Sequence, residues 1–151
     1  MGPTNNTGYL LQHLAFVLAR HSDQVLQEQL GIGFSQFKIL TVLQWNPAVQ
    51  QRQIAERLGQ TEASISRQIK LLQRQGLLTS IASPNNRREH ITRTTPKGER
   101  LTDKALEVLN KYHAPMFARL NAKQHQQLRE ILSIMHDHAC VGDNASQMHR
   151  H

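Results

Sequence analysis

The stretch "QQRQIAERLGQTEASISRQIKLLQRQGLL", residues 50–78, decides the fold. Ala55 lies four residues before Gly59, and Ile65 lies six residues after it. A small residue lets two helices cross closely, a glycine permits the turn between them, and an apolar residue holds the second helix against the first. This spacing predicts a helix-turn-helix, although a plain helical hairpin within a bundle has the same pattern.

The second helix of the pair is predicted to begin after an N-cap at Thr61 and to run to Gln75, with Gly76 closing it. The apolar residues of the pair fall on one side: Ile54, Leu58, Ile65, Ile69 and Leu72. The other side of the second helix carries polar and charged residues that can reach bases or phosphates in a major groove: Glu62, Ser64, Ser66, Arg67, Lys70 and Arg74. Together with Arg52 and Thr61, these residues form the predicted DNA-binding face.

The segment "SPNNRREH", residues 83–90, predicts a turn that carries two adjacent arginines at its tip. Its Pro and Asn residues favour the turn, and the flanking segments "LLTSIA" (77–82) and "EHITRTT" (89–95) alternate as two antiparallel strands do. A narrow minor groove concentrates negative potential, which suits the guanidinium groups of Arg87 and Arg88. A basic-faced helix followed at once by such a hairpin predicts a winged helix-turn-helix.

The rest of the chain is predicted to be helical, which gives the order α-α-α-α-β-β-α-α and a mainly α fold with a small two- to three-stranded β wing. The predicted helices are about Thr7 to Leu30, ended by "GIG" at 31–33; Ser35 as cap to Leu43, stopped by Asn46-Pro47; Gln50 to Leu58; Pro96 to Leu120, kinked or interrupted at Pro115; and an Asn121–Gln124 capping box to Cys140.

The terminal helices carry broad apolar stripes around a small middle module. These stripes are Leu10, Leu11, Leu14, Val17, Leu18, Val25 and Leu26; Leu101, Ala105, Val108 and Leu109; and Leu128, Ile131, Leu132 and Met135. We therefore predict dimerisation helices at 1–33 and 96–140, a winged helix-turn-helix DNA-binding domain at 34–95, and a disordered tail at 141–151. The alternative is a monomer that packs its own ends together.

Positive charge is concentrated in the middle of the chain. The 151 residues carry a formal net charge of +7, with a sequence pI near 10.2. Residues 52–104 hold eleven Lys or Arg against five Asp or Glu, a net of +6, whereas residues 1–51 are neutral. Such a localised basic surface indicates a polyanionic partner, and the motifs favour duplex DNA.

The sequence also predicts a cytoplasmic protein. The single cysteine excludes an intramolecular disulfide, which fits a reducing compartment. No apolar run approaches the ~18 residues of a membrane span, so no membrane partner is expected. The start "MGPTNNTGY" lacks the pattern of a secretory signal.

Three segments together resemble the MarR family of bacterial transcription regulators, over residues from about 10 to 138. They are "FKILTVLQWNP" (37–47), "QIAERLGQTEASISRQIKLLQRQGLL" (53–78) and "SPNNRREHITRTTPKGERL" (83–101). The last is similar to the wing signature of the family and to the Thr-x-x-Gly start of its dimerisation helix, here Thr95 and Gly98.

The resemblance implies a homodimer that binds a pseudo-palindromic operator, most often as a repressor. It also implies that the helix at 61–75 reads the major groove and that Arg88 enters the minor groove. Where the family usually has two wing acids, this chain has Ser83 and Asn86. Because Asn86 cannot form an ion pair with the wing arginine, we expect a more mobile and more positive wing with an undiminished DNA role. The loss is small, because an exposed ion pair contributes only ~0–1 kcal/mol to stability.

The family often senses small phenolic or lipophilic ligands in a crevice between the winged domain and the dimer helices. The residues of this chain that would line it are Arg20, His21, Phe37, Trp45, Tyr112, His113 and Met116. The alternative is that Phe37, Trp45 and Met116 belong to the core.

A metal-responsive (zinc) regulator of the same fold is a further alternative. His136, His138 and Cys140 lie close in sequence, but on a helix 136 and 140 share a face while 138 points away. A second set, His21, His113 and His125, would have to meet across helices. Peroxide sensing is disfavoured because Cys140 is placed near a helix C-terminus, where the dipole opposes a thiolate. The resemblance points the same way, since in relatives that sense peroxide the reactive cysteine lies in the first helix, and this chain has none there. Neither a metal site nor a cofactor is predicted.

Two other classes of function are weighed against DNA reading. An enzyme is not predicted, since the chain has no Gly-rich phosphate loop, no Ser-His-Asp order and no His-Glu-x-x-His. A winged helix used only for protein contacts remains an alternative, but such modules usually lack a basic recognition face.

Overall fold

The structure, a computed structural model, describes residues 3–47, 49–85 and 90–148. After a 3-10 turn at Pro3–Asn5, the elements in these ranges are α1 (Thr7–Leu30), α2 (Phe34–Trp45), α3 (Gln51–Leu58), α4 (Glu62–Arg74), β1 (Leu78–Ala82), β2 (His90–Thr94), α5 (Pro96–Phe117) and α6 (Ala122–Met148). The predicted order and the mainly α class with a small β wing are confirmed. The chain divides into two compact units, Met1–Asn110 and Lys111–His151.

The helix-turn-helix has the predicted termini. The α3 helix ends at Leu58, and its C-cap Gly59 has a left-handed φ of 61°. Gln60 leads directly to the N-cap of α4 at Thr61. The Thr61 Oγ1 accepts a hydrogen bond from the backbone N–H of Ser64 at 3.1 Å, which satisfies one of the free donors at the start of the helix. Gly76, with φ of 73°, follows the end of α4.

The start of α2 differs from the prediction. Ser35 was expected to cap this helix, but Gly33 occupies the N-cap position and Ser35 lies in the first turn. The carboxylate of Asp23 on α1 accepts from the Phe34 N–H at 2.8 Å, and the Gln36 side chain accepts from the Gly33 N–H at 3.1 Å. An acid distant in sequence therefore supplies the cap, and the Ser35 hydroxyl is available for another contact.

The two strands of the wing form an antiparallel pair in which Leu78 faces Thr94 and Ala82 faces His90. Leu78 and Thr92 are buried, whereas Ile81 and Arg93 are exposed, as the alternation of a strand requires. One face of the wing therefore packs on the helices and the other faces solvent.

The end of α4 and the start of α5 are joined by hydrogen bonds. The Thr95 hydroxyl donates to the Gly76 carbonyl at 2.7 Å and accepts from the Gly98 N–H at 3.0 Å. The Lys97 ammonium donates to the Gln75 carbonyl at 2.9 Å, where the helix dipole of α4 favours a cation. A Cβ at Gly98 would collide with the carbonyl oxygen of Leu77, so the close approach depends on glycine.

The apolar core of the first unit consists of two clusters. One lies among α2, α3, α4 and β1, and includes the fully buried Ile39, Leu40, Leu43, Ile54, Ile65, Ile69 and Leu72. The other joins the C-terminal half of α1 to α5 and consists of Val25, Leu26, Ile32, Phe37, Ala105, Val108 and Leu109. Leu101 packs against both clusters, so α5 shares its stripe between them.

The last two helices of the chain depart from the predicted boundaries. The α5 helix passes through Pro115 and ends at Phe117, short of the predicted Leu120. Proline cannot donate a helical hydrogen bond, but Pro115 lies so near the end of α5 that the loss of this bond disturbs little of the helix. The predicted Asn121–Gln124 capping box is present, with bonds of 3.0 and 2.8 Å.

The last helix also runs further than predicted. It continues to Met148, beyond the expected end at Cys140 and into the segment predicted as a disordered tail. That stretch contains no proline, and a single glycine in a helix costs only about 1 kcal/mol. Cys140 therefore lies well before the end of the helix, and its expected position near the helix C-terminus is wrong. Across the described ranges, no helix is both long and apolar enough to span a bilayer.

Candidate nucleic-acid interface

Three cations line the exposed side of α4 and define a surface that we name the α4 stripe: Arg67, Lys70 and Arg74. All three are exposed, while Ile65, Ile69 and Leu72 are buried on the other side of the helix. Steps of three and four residues place side chains above one another on a helix. No described residue forms an ion pair with a member of the stripe, and an open surface hollow of about 490 Å³ is lined by Lys70, Gln73 and Arg74.

The N-terminal end of α4 is organised differently from the stripe. Thr61 is exposed and acts as the N-cap. Glu62 is the only acid of α4 and lies in its first turn, where the helix dipole favours a negative charge. Ser64 and Ser66 are half-buried. The Ser64 hydroxyl donates to the Gln60 side chain at 3.2 Å, so this predicted DNA contact also has a partner within the protein.

Helix α3 carries two further cations of the first unit. Arg52 on α3 is exposed over 74% of its side chain and pairs with Glu56 at 3.2 Å. Arg57, also on α3 and exposed, was not among the predicted site residues. Its place one residue before the end of the helix gave no signal in the sequence pattern.

The wing contributes one arginine that the sequence analysis missed. Arg93 is exposed on the solvent face of β2, opposite Thr79. The alternation of the strand predicts that it faces outward, so the sequence does carry a signal for this residue. The predicted tip residues Arg87 and Arg88 lie outside the described residues, as does Asn86. Ser83 accepts a hydrogen bond from the Asn85 N–H at 3.4 Å.

The predicted effector residues fall in both compact units. In the first unit, Arg20 and His21 are exposed, Phe37 belongs to the core, and Trp45 is 77% exposed at the end of α2. Trp45 is therefore not the core residue that the alternative reading expected. In the second unit, Tyr112 is exposed and meets the half-buried His113 edge to face at 5.4 Å, and Met116 is half-buried. The pocket remains a prediction.

The histidines of the metal-responsive alternative lie on α1, α5 and α6. Within the described part of the chain, no group of three or more His, Cys, Asp or Glu side chains is placed to hold a metal ion. The Nδ1 of His136 lies 3.7 Å from the Oδ1 of Asp137. The ring of His125 stacks on that of Phe117, with 5.3 Å between the ring centres.

The fold and the α4 stripe define a winged helix-turn-helix protein. Residues 30–89 match a family model described as the MarR family. Among curated proteins, the chain is similar to the uncharacterized HTH-type transcriptional regulator YdgJ of Bacillus subtilis (strain 168), with 22% identity over 105 residues. That match covers 70% of this chain and 64% of YdgJ, which is less than two thirds of the length of that relative.

Solved structures share the fold over most of their length. A crystal structure of MarR matches with a TM-score of 0.82 at 20% identity, over 89% of this chain and 94% of that one. The Mycobacterium tuberculosis MarR family protein Rv2887, in complex with p-aminosalicylic acid, matches with a TM-score of 0.74 at 24% identity, over 86% and 98%. The chain is therefore similar to the MarR family over residues 30–89 and shares its winged helix-turn-helix fold with these structures.

Proposed function

We propose that the protein is a homodimeric, sequence-specific DNA-binding repressor whose two α4 helices enter successive major grooves of a pseudo-palindromic operator. The observation that carries this proposal is the α4 stripe. Three cations share an exposed face of a helix whose other face is pinned in the core, and no described acid neutralises them. Arginine can bond a guanine edge with two hydrogen bonds, and lysine and arginine also contact phosphates.

The wing adds a second contact in this proposal. Arg93 lies on the solvent face of the hairpin, and the sequence predicts Arg87 and Arg88 at its tip. Guanidinium groups beside a recognition helix meet phosphates or a narrow minor groove. Arg52 and Arg57 on α3 would contact the phosphate backbone of the DNA. Arg52 would then give up its ion pair with Glu56 for one with a phosphate, which costs little because an exposed ion pair is weak.

A second copy of the chain is the proposed cover for the exposed apolar residues of the terminal helices. On α1 these residues are Tyr9, Leu10, Leu11, Leu14 and Phe16; on α6 they are Ile131, Leu132, Ile134 and Met135. Only Ser22, Val25 and Leu26 of α1 are buried, so the described part of the first unit does not cover the N-terminal part of the predicted stripe. On either helix, several large apolar side chains exposed close together mark an interface.

We also propose that a small phenolic or lipophilic ligand relieves repression, in the cytoplasm where the operator lies. Support comes from Rv2887, whose structure contains p-aminosalicylic acid. A titration of the protein–operator complex with p-aminosalicylic acid measures this directly, and no release at millimolar ligand would remove that compound from the candidates.

The main test is selection of bound duplexes from a random pool at a stated salt concentration. A palindromic consensus with half-sites about one helical turn apart is expected for a dimer that presents two recognition helices. Binding without any sequence preference would contradict the proposal and would favour a protein-contact module.

Single substitutions then assign the contacts. Arg67→Ala is expected to relax the preference at one base pair by roughly 1–3 kcal/mol if Arg67 reads a base. Arg88→Ala is expected to lower the slope of log K against log salt by about 0.9 if Arg88 contacts one phosphate. Arg129→Ala removes the same charge from an exposed site on α6 and serves as the control. Equal losses for Arg67→Ala and Arg129→Ala would show an effect of net charge alone.

A further inference from the structure

Gln60, in the turn between α3 and α4, forms side-chain hydrogen bonds to two different helices. Its Nε2 donates to the Ser35 hydroxyl on α2 at 2.6 Å. Its Oε1 accepts from the Ser64 hydroxyl at 3.2 Å and from the Gln68 amide at 2.8 Å, both on α4. All four side chains are half-buried. Gln60 therefore links α2 to the helix that carries the α4 stripe.

The α2 end of this link is itself fixed. Asp23 on α1 accepts from the Phe34 N–H at 2.8 Å, one residue before Ser35. The Gln36 side chain accepts from the Gly33 N–H at 3.1 Å. The first turn of α2 is thus held by the preceding helix, which makes it a firm support for a contact to α4.

At the α4 end, the link controls rotation of the helix about its own axis. The buried apolar residues hold α4 against the core, but apolar contacts have no preferred direction. Hydrogen bonds do have one, and Ser64 and Gln68 lie one turn apart on the flank of α4 that faces Gln60. A rotation of about 10° moves a group about 6 Å from the axis by about 1 Å. That is more than a two-bond contact to a base edge tolerates.

We propose that Gln60 is a positioning residue for sequence readout. By fixing the rotation of α4, it sets how well the α4 stripe discriminates an operator from unrelated DNA. Ser35, Ser64 and Gln68 form the network through which it acts. This inference rests on the proposed DNA-reading function and names a determinant of its specificity.

The test compares Kd for a selected operator with Kd for a scrambled duplex of the same composition, at one salt concentration. Gln60→Met keeps the length of the side chain without its hydrogen bonds, and Ser35→Ala cuts the network at α2, a helix that carries no part of the α4 stripe. Both variants are expected to lower the ratio of the two affinities about tenfold, the scale of one misread base pair, with little change on scrambled DNA. The double variant is expected to lose no more than Gln60→Met alone.

Two further variants separate positioning from general stability. Gln24→Met makes the same chemical change on α1, where the Gln24 amide donates to Glu28 at 3.1 Å on the surface, and should leave the ratio unchanged. The Gln60→Glu side chain can accept hydrogen bonds from Ser35, Ser64 and Gln68. The ratio of the two affinities should therefore stay close to that of the wild type, even though the added negative charge weakens binding to both duplexes.

Distinct results would overturn the inference and the proposed function. If the wild-type protein prefers the operator and both Gln60→Met and Ser35→Ala keep its ratio of affinities, the role of Gln60 is overturned. The proposed function is then left intact. A parallel loss of both affinities and of the thermal midpoint, at constant ratio, shows a structural role only and also overturns it. A wild-type protein that prefers no duplex refutes the proposed function itself. If Gln60→Met does not fold, Ser35→Ala decides alone.

Discussion

Gly98→Ala tests the close contact between the end of α4 and the start of α5. The added Cβ would collide with the Leu77 carbonyl oxygen and would lie 3.1 Å from its carbonyl carbon, where carbon atoms prefer 3.5–4.0 Å. The obstacle is backbone, which cannot rotate away as a side-chain end does. The Leu77 carbonyl would have to retreat by about 1 Å, and it also accepts the Thr95 N–H at 3.0 Å.

The magnitude follows from three contributions. Overpacking costs about 1–3 kcal/mol. The hydrogen bonds of Thr95 to Leu77 and Gly76 lengthen, at about 0.5–1.5 kcal/mol each. Alanine in a helix regains about 1 kcal/mol over glycine. We expect a net loss of about 1–5 kcal/mol, which lowers Tm by roughly 2–20 °C for a protein of this size.

The assay is thermal unfolding followed by circular dichroism at one fixed protein concentration, because association changes the apparent stability. Gly8→Ala is the matched control. Gly8 also lies in the first turn of a helix, and its Cβ would meet nothing nearer than the Asn6 side chain at 3.4 Å. That variant should be neutral or slightly stabilised. Equal Tm values for the two variants would refute the close-contact reasoning.

Substitutions at four other positions test separate features. Thr92→Val should raise the free energy of unfolding in urea by about 1 kcal/mol, because the Thr92 hydroxyl is buried with no partner among the described residues; a loss would reveal a partner. Thr61→Ala should cost about 1 kcal/mol through the lost cap of α4, and Thr61→Gly only a few tenths; equal costs would argue against a side-chain cap. Ile131→Lys, at a side chain 54% exposed on α6, should shift sedimentation from dimer to monomer, and an unchanged dimer would exclude this position from the interface. Arg93→Ala should weaken binding to all duplexes alike and reduce the salt slope by about 0.9 if it contacts one phosphate; a change in base preference would assign it to readout.

Local patterns predicted the winged helix-turn-helix well. Gly31, Gly59 and Gly76 all have positive φ, and glycine is the residue that adopts this conformation without strain. Thr61 caps α4 and Asn121 caps α6, because both caps are made within three residues. Such features depend on neighbours in the chain, so the sequence carries them directly.

Contacts between distant segments were beyond the reach of these patterns. Asp23 caps α2 from 11 residues away, which displaced Ser35 from the expected role. Gln60 bonds to Ser35 across 25 residues, and no periodicity marks such a pair. The extension of α6 to Met148 was missed for another reason, since weak helix formers lower the propensity of a segment without forbidding a helix.

Trp45 gives this chain an optical property that follows from its place at the end of α2. It is the only tryptophan, and it is 77% exposed in the protomer. Its fluorescence therefore comes from one indole that already stands in water, so the emission colour should change little when an isolated protomer unfolds. A shift toward the blue on addition of a ligand or another macromolecule would instead report that this end of α2 has been covered.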